Sequence, residues 1–188
     1  RVAVARAMVD YIIDYTRKNN YKALRLVNSA MNLDSFSLYN RSGFVPRETY
    51  QDMIINVPEN GIEAGPVPGT ENVREAEPAD VEGMGELEME VGGIKRAVDY
   101  RYGIENPRGV MHATVYEKEG RIDGFLISLK HPALNILGPC VARDEETALA
   151  LLRKDIDRFA GTWALFVVPM GKRKIVEQLY TWKAFNVE

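Results

Sequence analysis

The chain has 188 residues, 46% of them hydrophobic, and a net charge of -3 with the two signs well mixed. This is enough apolar material for one good core or two small ones, and no Lys/Arg cluster tracks a face, which argues against nucleic acid or an anionic membrane as partner. No apolar run reaches the length of a bilayer span, Asp10 and Asp14 interrupt any signal-peptide reading of the first residues, and the single cysteine, Cys140, excludes an intrachain disulfide and fits a reducing, cytoplasmic compartment.

Residues 4 to 18 place Ala5, Met8, Val9, Ile12 and Ile13 on one stripe, the period of an amphipathic helix, and Asn19-Asn20 ends it. Ala23 to Val27 reads as a buried strand. In the next helix Asn32, Ser35 and Tyr39 are three and four residues apart, so an amide, a hydroxyl and a phenol share one face and can line one ligand. Gly43 suits a left-handed terminator. Asn40-Arg41-Ser42 matches a glycosylation sequon but falls inside this helix and is read as chance. Val45 to Val57 reads as an edge or meander strand carrying Tyr50, Met53 and Ile55. Pro58 to Thr70 holds three prolines and three glycines and reads as a linker, placed at 58-72.

A second unit starts at Val73 with a short strand. Pro78-Ala79-Asp80 opens a helix carrying Met84, Leu87 and Val91, and 94 to 105 suggests another helix. Val110 to Glu117 and Arg121 to Lys130 form a hairpin across Lys118-Glu119-Gly120, and Asn135 to Val141 adds a strand interrupted at Gly138-Pro139. His112 and His131 read as structural, Cys140 as a small buried residue near a strand end. Scattered as they are, these three make a metal site improbable. Leu179-Tyr180 followed by Ala184-Phe185 repeats Leu38-Tyr39 followed by Gly43-Phe44, and the same spacing sets Ala164 to Val168 on Ala23 to Val27 and the helix 145-159 on the helix 4-18.

The pattern Asn32-x-x-Ser35-x-x-Leu38-Tyr39-x-x-x-Gly43-Phe44 resembles the acetyl-CoA-binding helix and turn of the Gcn5-related N-acetyltransferases. Ala3-Val4-Ala5-Arg6 is similar to the tail of that family's pyrophosphate loop, which would begin before Arg1, with Ala3 where the loop has its first glycine. The resemblance implies an α/β fold with a mixed, mostly antiparallel sheet flanked by helices, here as a tandem: 1-57 the C-terminal half of a first unit, 73-188 a second and degenerate one, both ends cut. It implies acetyl transfer from acetyl-CoA to a primary amine by direct attack. Tyr39 would be the general acid to the departing thiolate, Ala3, Val4, Ala5, Arg6, Asn32 and Ser35 would bind the cofactor, and no metal is needed. The acceptor would be a small-molecule or peptide amine, self-association is left open, and the chain as given is expected to be inactive because half of the first cleft is missing. The alternative is a non-catalytic regulatory or interaction module. In the second unit Asp144-Glu145-Glu146 opens the helix where a pyrophosphate would sit, and carboxylates repel it there.

Overall fold

The computed structural model describes residues 2–29 and 31–187; Arg1, Ala30 and Glu188, and with them the motif start and the chain end discussed above, lie outside the described residues. The chain divides into two compact units, 1–47 and 48–188. In the first, the described residues between helices α1 (Val2–Lys18) and α2 (Leu33–Arg41) belong to no strand. The strand expected over Ala23 to Val27 is therefore absent, and Leu26 and Val27 are exposed where burial was expected. A strand exists only beside a ladder partner, and none of the described residues before Glu48 lies in a sheet strand.

The second unit is one seven-stranded sheet with helices on both faces. Its elements are β1 (Tyr50–Val57), β2 (Val73–Glu75), α3 (Val81–Gly92), α4 (Ala97–Glu105), β3 (Met111–Lys118), β4 (Arg121–His131), β5 (Leu134–Ala142), α5 (Glu145–Ile156), β6 (Thr162–Pro169), α6 (Arg173–Thr181) and β7 (Phe185–Asn186). The strand order is β2-β3-β4-β5-β6-β1-β7, antiparallel throughout except for β5 and β6. That parallel pair touches at one register position, Ile136 with Leu165, so the two strands are splayed. The β3–β4 hairpin closes through Glu119 and Gly120, both at positive φ, the two-residue turn whose twist suits the flanking strands.

Two apolar clusters line the sheet. On one face Met84 and Leu87 of α3 and Tyr100 of α4 meet Val115, Phe125 and Ile127, the Tyr100 and Phe125 rings 5.0 Å apart. On the other, α5 and α6 bring Leu151, Ile156 and Leu179 against Leu126, Ala164 and Phe166. Gly124 lets α5 come close to β4, since a Cβ there would stand 2.6 Å from Thr147 Cγ2.

The boundary expected at residue 57 falls instead at 47. The strand β1 pairs along its whole length with β6 and at Met53 and Ile54 with β7, and its Met53, Ile55 and Val57 are buried in the α5/α6 cluster. Period-two burial along Met53, Ile55 and Val57 is the reason: that face must be covered, and β6 offers an open edge. The segment 58–72 then runs from β1 to β2, across five inter-strand spacings or about 24 Å, a span within its extended reach. It does not wander in solvent. Ile62 donates its backbone N–H to Asp157 Oδ1 at 3.0 Å, and Ile62, Ala64 and Val67 pack on the core.

A fragment of residues 71–188 therefore lacks three core side chains, each worth roughly 1.5–3 kcal/mol of burial, against a net stability of about 5–15 kcal/mol for an ordinary domain. It is expected to show no cooperative melt by circular dichroism, whereas residues 48–188 unfold cooperatively. A sharp, reversible transition for 71–188 would show that β1 is dispensable.

Candidate functional site

In residues 1–47, α1 turns Ala5, Met8, Val9 and Ile12 to one side, at the i, i+3, i+4, i+7 spacing of a helix face. The segment Leu24–Leu26 and the α2 residues Ser35, Leu38 and Tyr39 face them, with Phe44 just past the α2 turn. Together they enclose a groove of about 400 Å³. Its walls are largely apolar, and Ser35, Tyr39 and Arg25 supply the polar groups. Of the residues singled out in the sequence, Ala5, Ser35 and Tyr39 line this groove.

The others are placed differently. Asn32 is the N-cap of α2, its Oδ1 accepting the Ser35 backbone N–H at 3.2 Å, so its amide is tied to the helix end and does not line the groove. Ala3, Val4, Ala5 and Arg6 belong to the first turns of α1, which carries no acidic residue in its first turn; the backbone amides of a first turn have no intrahelical acceptor. Arg6 is paired with Asp10 at 3.2 Å, and Val4 is exposed. The Tyr39 ring packs edge-on against Phe44 at 5.8 Å, which fixes the ring while it faces the groove. Met8, Leu24, Leu26 and Phe44 complete the walls and were read in the sequence only as core or turn residues.

In the second unit the starts of α5 and α6 are closed by the protein's own carboxylates. Asp144 caps α5 by accepting the Thr147 N–H at 2.7 Å. Glu145 Oε2 accepts the N–H groups of Lys174 and Ile175, at 2.8 and 3.2 Å, closing the start of α6, whose N-cap residue Lys172 makes no side-chain cap. Glu146 pairs with Lys174, whose ammonium holds the Glu146 carboxyl below the usual range. This use of Glu145 was not read in the sequence, although acidic residues directly after a strand and before an apolar helix are its signal.

The internal repeat also shifts by one residue. Both α2 and α6 end in a reversed turn in which a residue at positive φ follows the helix, Gly43 at 92° and Lys183 at 68°; the next N–H reaches back five residues, Phe44 to the Tyr39 carbonyl at 3.1 Å and Ala184 to that of Leu179 at 2.9 Å. Tyr39 thus corresponds to Leu179, which is fully buried, and Tyr180 is an exposed residue donating to Asn186 Oδ1 at 3.1 Å. None of Asn32, Ser35 and Tyr39 has a like residue in the second unit: Lys172, Ile175 and Leu179 stand there.

Cys140, expected to be buried, is exposed on β5. His131 is structural, its Nδ1 accepting the Ala133 N–H at 3.1 Å. Among the described residues no group of three or more His, Cys, Asp or Glu side chains is placed to hold a metal ion, and no helix is long and apolar enough to cross a membrane.

Glu145→Ala is expected to cost about 1 kcal/mol in urea unfolding, in the range for loss of a helix cap, with Glu145→Gln costing less because its carbonyl still accepts. Equal stability of Glu145→Ala and the parent would remove the cap.

A family model described as an acetyltransferase (GNAT) domain matches residues 85–187. No curated protein matches the chain. Among solved structures, a provisionally assigned acetyltransferase from Pyrococcus horikoshii is 17% identical with a TM-score of 0.65, over 100% of this chain and 57% of that one. A GCN5-related N-acetyltransferase from Sphaerobacter thermophilus is 18% identical at a TM-score of 0.51, over 84% of this chain and 54% of that one. A provisionally assigned GNAT-family acetyltransferase from Novosphingobium aromaticivorans DSM 12444 is 16% identical at 0.51, over 74% and 61%. The chain thus spans less than two thirds of the length of each of these structures, and the likeness is one of fold. The sheet order, the splayed parallel pair and the matched family model, which covers more than half of the chain, lead to one assignment: this chain belongs to the acetyltransferase (GNAT) family.

Proposed function

We propose that residues 1–47 contribute part of a site for acetyl transfer from acetyl-CoA to an amine in the parent protein, with a non-catalytic second unit and no turnover by the 188-residue chain alone. The observation that carries this reading is the groove that brings Ser35 and Tyr39 together against Ala5. Acetyl-CoA supplies an activated thioester that a neutral amine can attack directly. The residues of the groove fit its pantetheine arm in kind, apolar along Met8, Val9, Leu24 and Leu38 and hydroxyl-bearing at Ser35 and Tyr39. The first-turn amides around Ala3, Val4 and Ala5 fit a pyrophosphate, since helix N-terminal N–H groups and the helix dipole both favour an anion.

In this reading Tyr39 donates its phenolic proton to the departing thiolate, and Phe44 holds the ring in the orientation for it. Ser35 orients the arm by hydrogen bonding. Asn32 acts one step removed, by fixing the start of α2 and so the height of Ser35 and Tyr39 along the groove. Arg6, paired with Asp10, is available to a phosphate only by exchanging that partner.

The second unit supports the division of labour. Asp144, Glu145 and Glu146 occupy the α5 and α6 starts, and Leu179 stands where Tyr39 does in the first unit. The same observation favours a regulatory or interaction role for residues 48–188, by the loss of an anion-receiving helix end and of the phenol together. The tandem origin of the two units rests on the matched helix lengths of α2 and α6 and their shared C-terminal turn. The acceptor is proposed only as an amine, and a cytoplasmic location agrees with the single cysteine.

Titrating acetyl-CoA into the ¹⁵N-labelled chain should move the amide signals of Ala5, Ser35 and Tyr39 and leave Thr147 and Ile175 in place. Shifts confined to Thr147 and Ile175 would place the site in the second unit. Where turnover is measured, Tyr39→Phe should lower kcat by roughly 10–100-fold, the scale for one general-acid group, with the acetyl-CoA Kd unchanged within about twofold. An unaltered kcat would exclude Tyr39 as the acid.

A further inference from the structure

Asp155 stands in α5 on the side that packs against the sheet and is 1% exposed. Beneath it His112 of β3 and Ser128 of β4 lie directly opposite one another in the hairpin ladder, so their side chains emerge side by side. Asp155 Oδ2 is 3.1 Å from Ser128 Oγ. Its other oxygen, Oδ1, is buried without a hydrogen-bond partner and lies 3.6 Å from His112 Nε2, beyond hydrogen-bonding distance in this arrangement.

An ionised carboxylate accepts from several donors, and taking one out of water without them is costly. Here a single hydroxyl proton is at hand, and the Ser128 hydroxyl also stands 3.5 Å from the His112 carbonyl. Oδ1 thus has no donor within hydrogen-bonding distance, and a neutral carboxyl, which can itself donate from Oδ1, fits the site where a carboxylate does not. The charged groups facing the site come from every neighbouring element. Arg158, just past α5, and Lys154 of α5 favour the ionised Asp155, Glu75 of β2 opposes it, and the Cys140 thiol of β5 senses it. Lys130 of β4 is turned away to the Arg158 carbonyl at 2.6 Å. Burial outweighs these charges and pushes the Asp155 carboxyl up to about 7. It also lowers His112 below its ordinary value, helped by the charge of Arg158 and opposed by Glu75.

We propose that His112, Asp155 and Ser128 form a one-proton clasp that seats α5 on strands β3 and β4, with the proton on Asp155 Oδ1, His112 neutral, and the Nε2 lone pair facing that proton. Near pH 6 the unfolded chain carries the same proton on the imidazole and an ionised carboxylate. Folding therefore moves one proton from histidine to aspartic acid with little net uptake or release. The two linkages oppose each other. The raised Asp155 contributes stability that is present at acid pH and lost as pH rises from the ordinary carboxylate range through about 7. The lowered His112 contributes stability that is present above the ordinary histidine range and lost as pH falls. The clasp holds α5 with little pH dependence because these terms offset.

The test is urea unfolding of the 188-residue chain between pH 5.5 and 7 for the parent, His112→Asn and Asp155→Asn. The parent folding constant is expected to change by no more than about threefold, that of His112→Asn to fall roughly tenfold as pH rises, and that of Asp155→Asn to rise roughly fivefold. The asparagine amide can donate to Nε2 and accept from Ser128 as the neutral acid does, so Asp155→Asn is expected to remain folded. Slopes of the same sign in the two variants would overturn the clasp. Should His112→Asn fail to fold, the ring nitrogens of His112 in the parent decide: a neutral ring protonated at Nδ1 at pH 5.5, where an ordinary histidine is charged, supports the clasp, and an imidazolium overturns it.

Discussion

The sheet of the second unit is completed by a strand from the far side of a Pro/Gly-rich segment, and everything from Glu48 onward depends on that insertion. Strand β6 is central only because β1 covers its free edge, and β7 has a neighbour only because β1 stands between it and β6. Without β1, β6 would present an unpaired ladder edge and α6 would lose the Met53–Val57 face against which Leu179 and Trp182 close the core. The contact joins residues more than a hundred positions apart, Tyr50 with Pro169 and Val57 with Thr162, so its loop-closure entropy must be met before any of its burial is gained.

That constraint explains the course of residues 58–72. A freely hanging linker would gain nothing from Ile62, Ala64 and Val67, yet these pack on the core and Asp157 receives the Ile62 amide. Its prolines and glycines give the turns needed to pass from one side of the sheet to the other, while the interspersed apolar residues hold it down. Composition alone describes the first property and misses the second.

The legible part of the fold was the part with local signals. The order of elements from Val73 to Thr181 follows from helical and alternating patterns, from the Glu119-Gly120 turn and from Asp80, whose carboxylate accepts the Glu77 amide at 2.7 Å and takes a bidentate Arg74. Partner choice was not legible. Val45 to Val57 has a strand's alternation but nothing in it says which sheet it joins, and Ala23 to Val27 has an apolar run without a ladder to make it a strand. The groove was half legible: Ser35 and Tyr39 follow from helical spacing, but Asn32 sits at the helix end, where a capping residue and a ligand-lining residue have the same sequence signature. Residue identity favours pairing Tyr39 with Tyr180, whereas the positive φ of Gly43 and Lys183 marks which residue follows each helix and pairs Tyr39 with Leu179.

The family match falls on residues 85–187, while the residues that resemble a cofactor site lie before residue 45, and the two facts have one physical account. The matched residues include the packed part of the second unit: the buried strands β3 and β4, Gly124 under α5, and the apolar side of α5. A site is kept by a few groups that are costly to fold when they do nothing, because an open helix end leaves amides unpaired and a phenol in a groove leaves a polar group half desolvated. The carboxylates at the α5 start cap α5, close the start of α6 and pair with Lys174. Leu179 is fully buried in the cluster beneath α5 and α6. A helix end filled by the protein's own carboxylates thus belongs to residues 48–188, and an apolar groove carrying Ser35 and Tyr39 to residues 1–47.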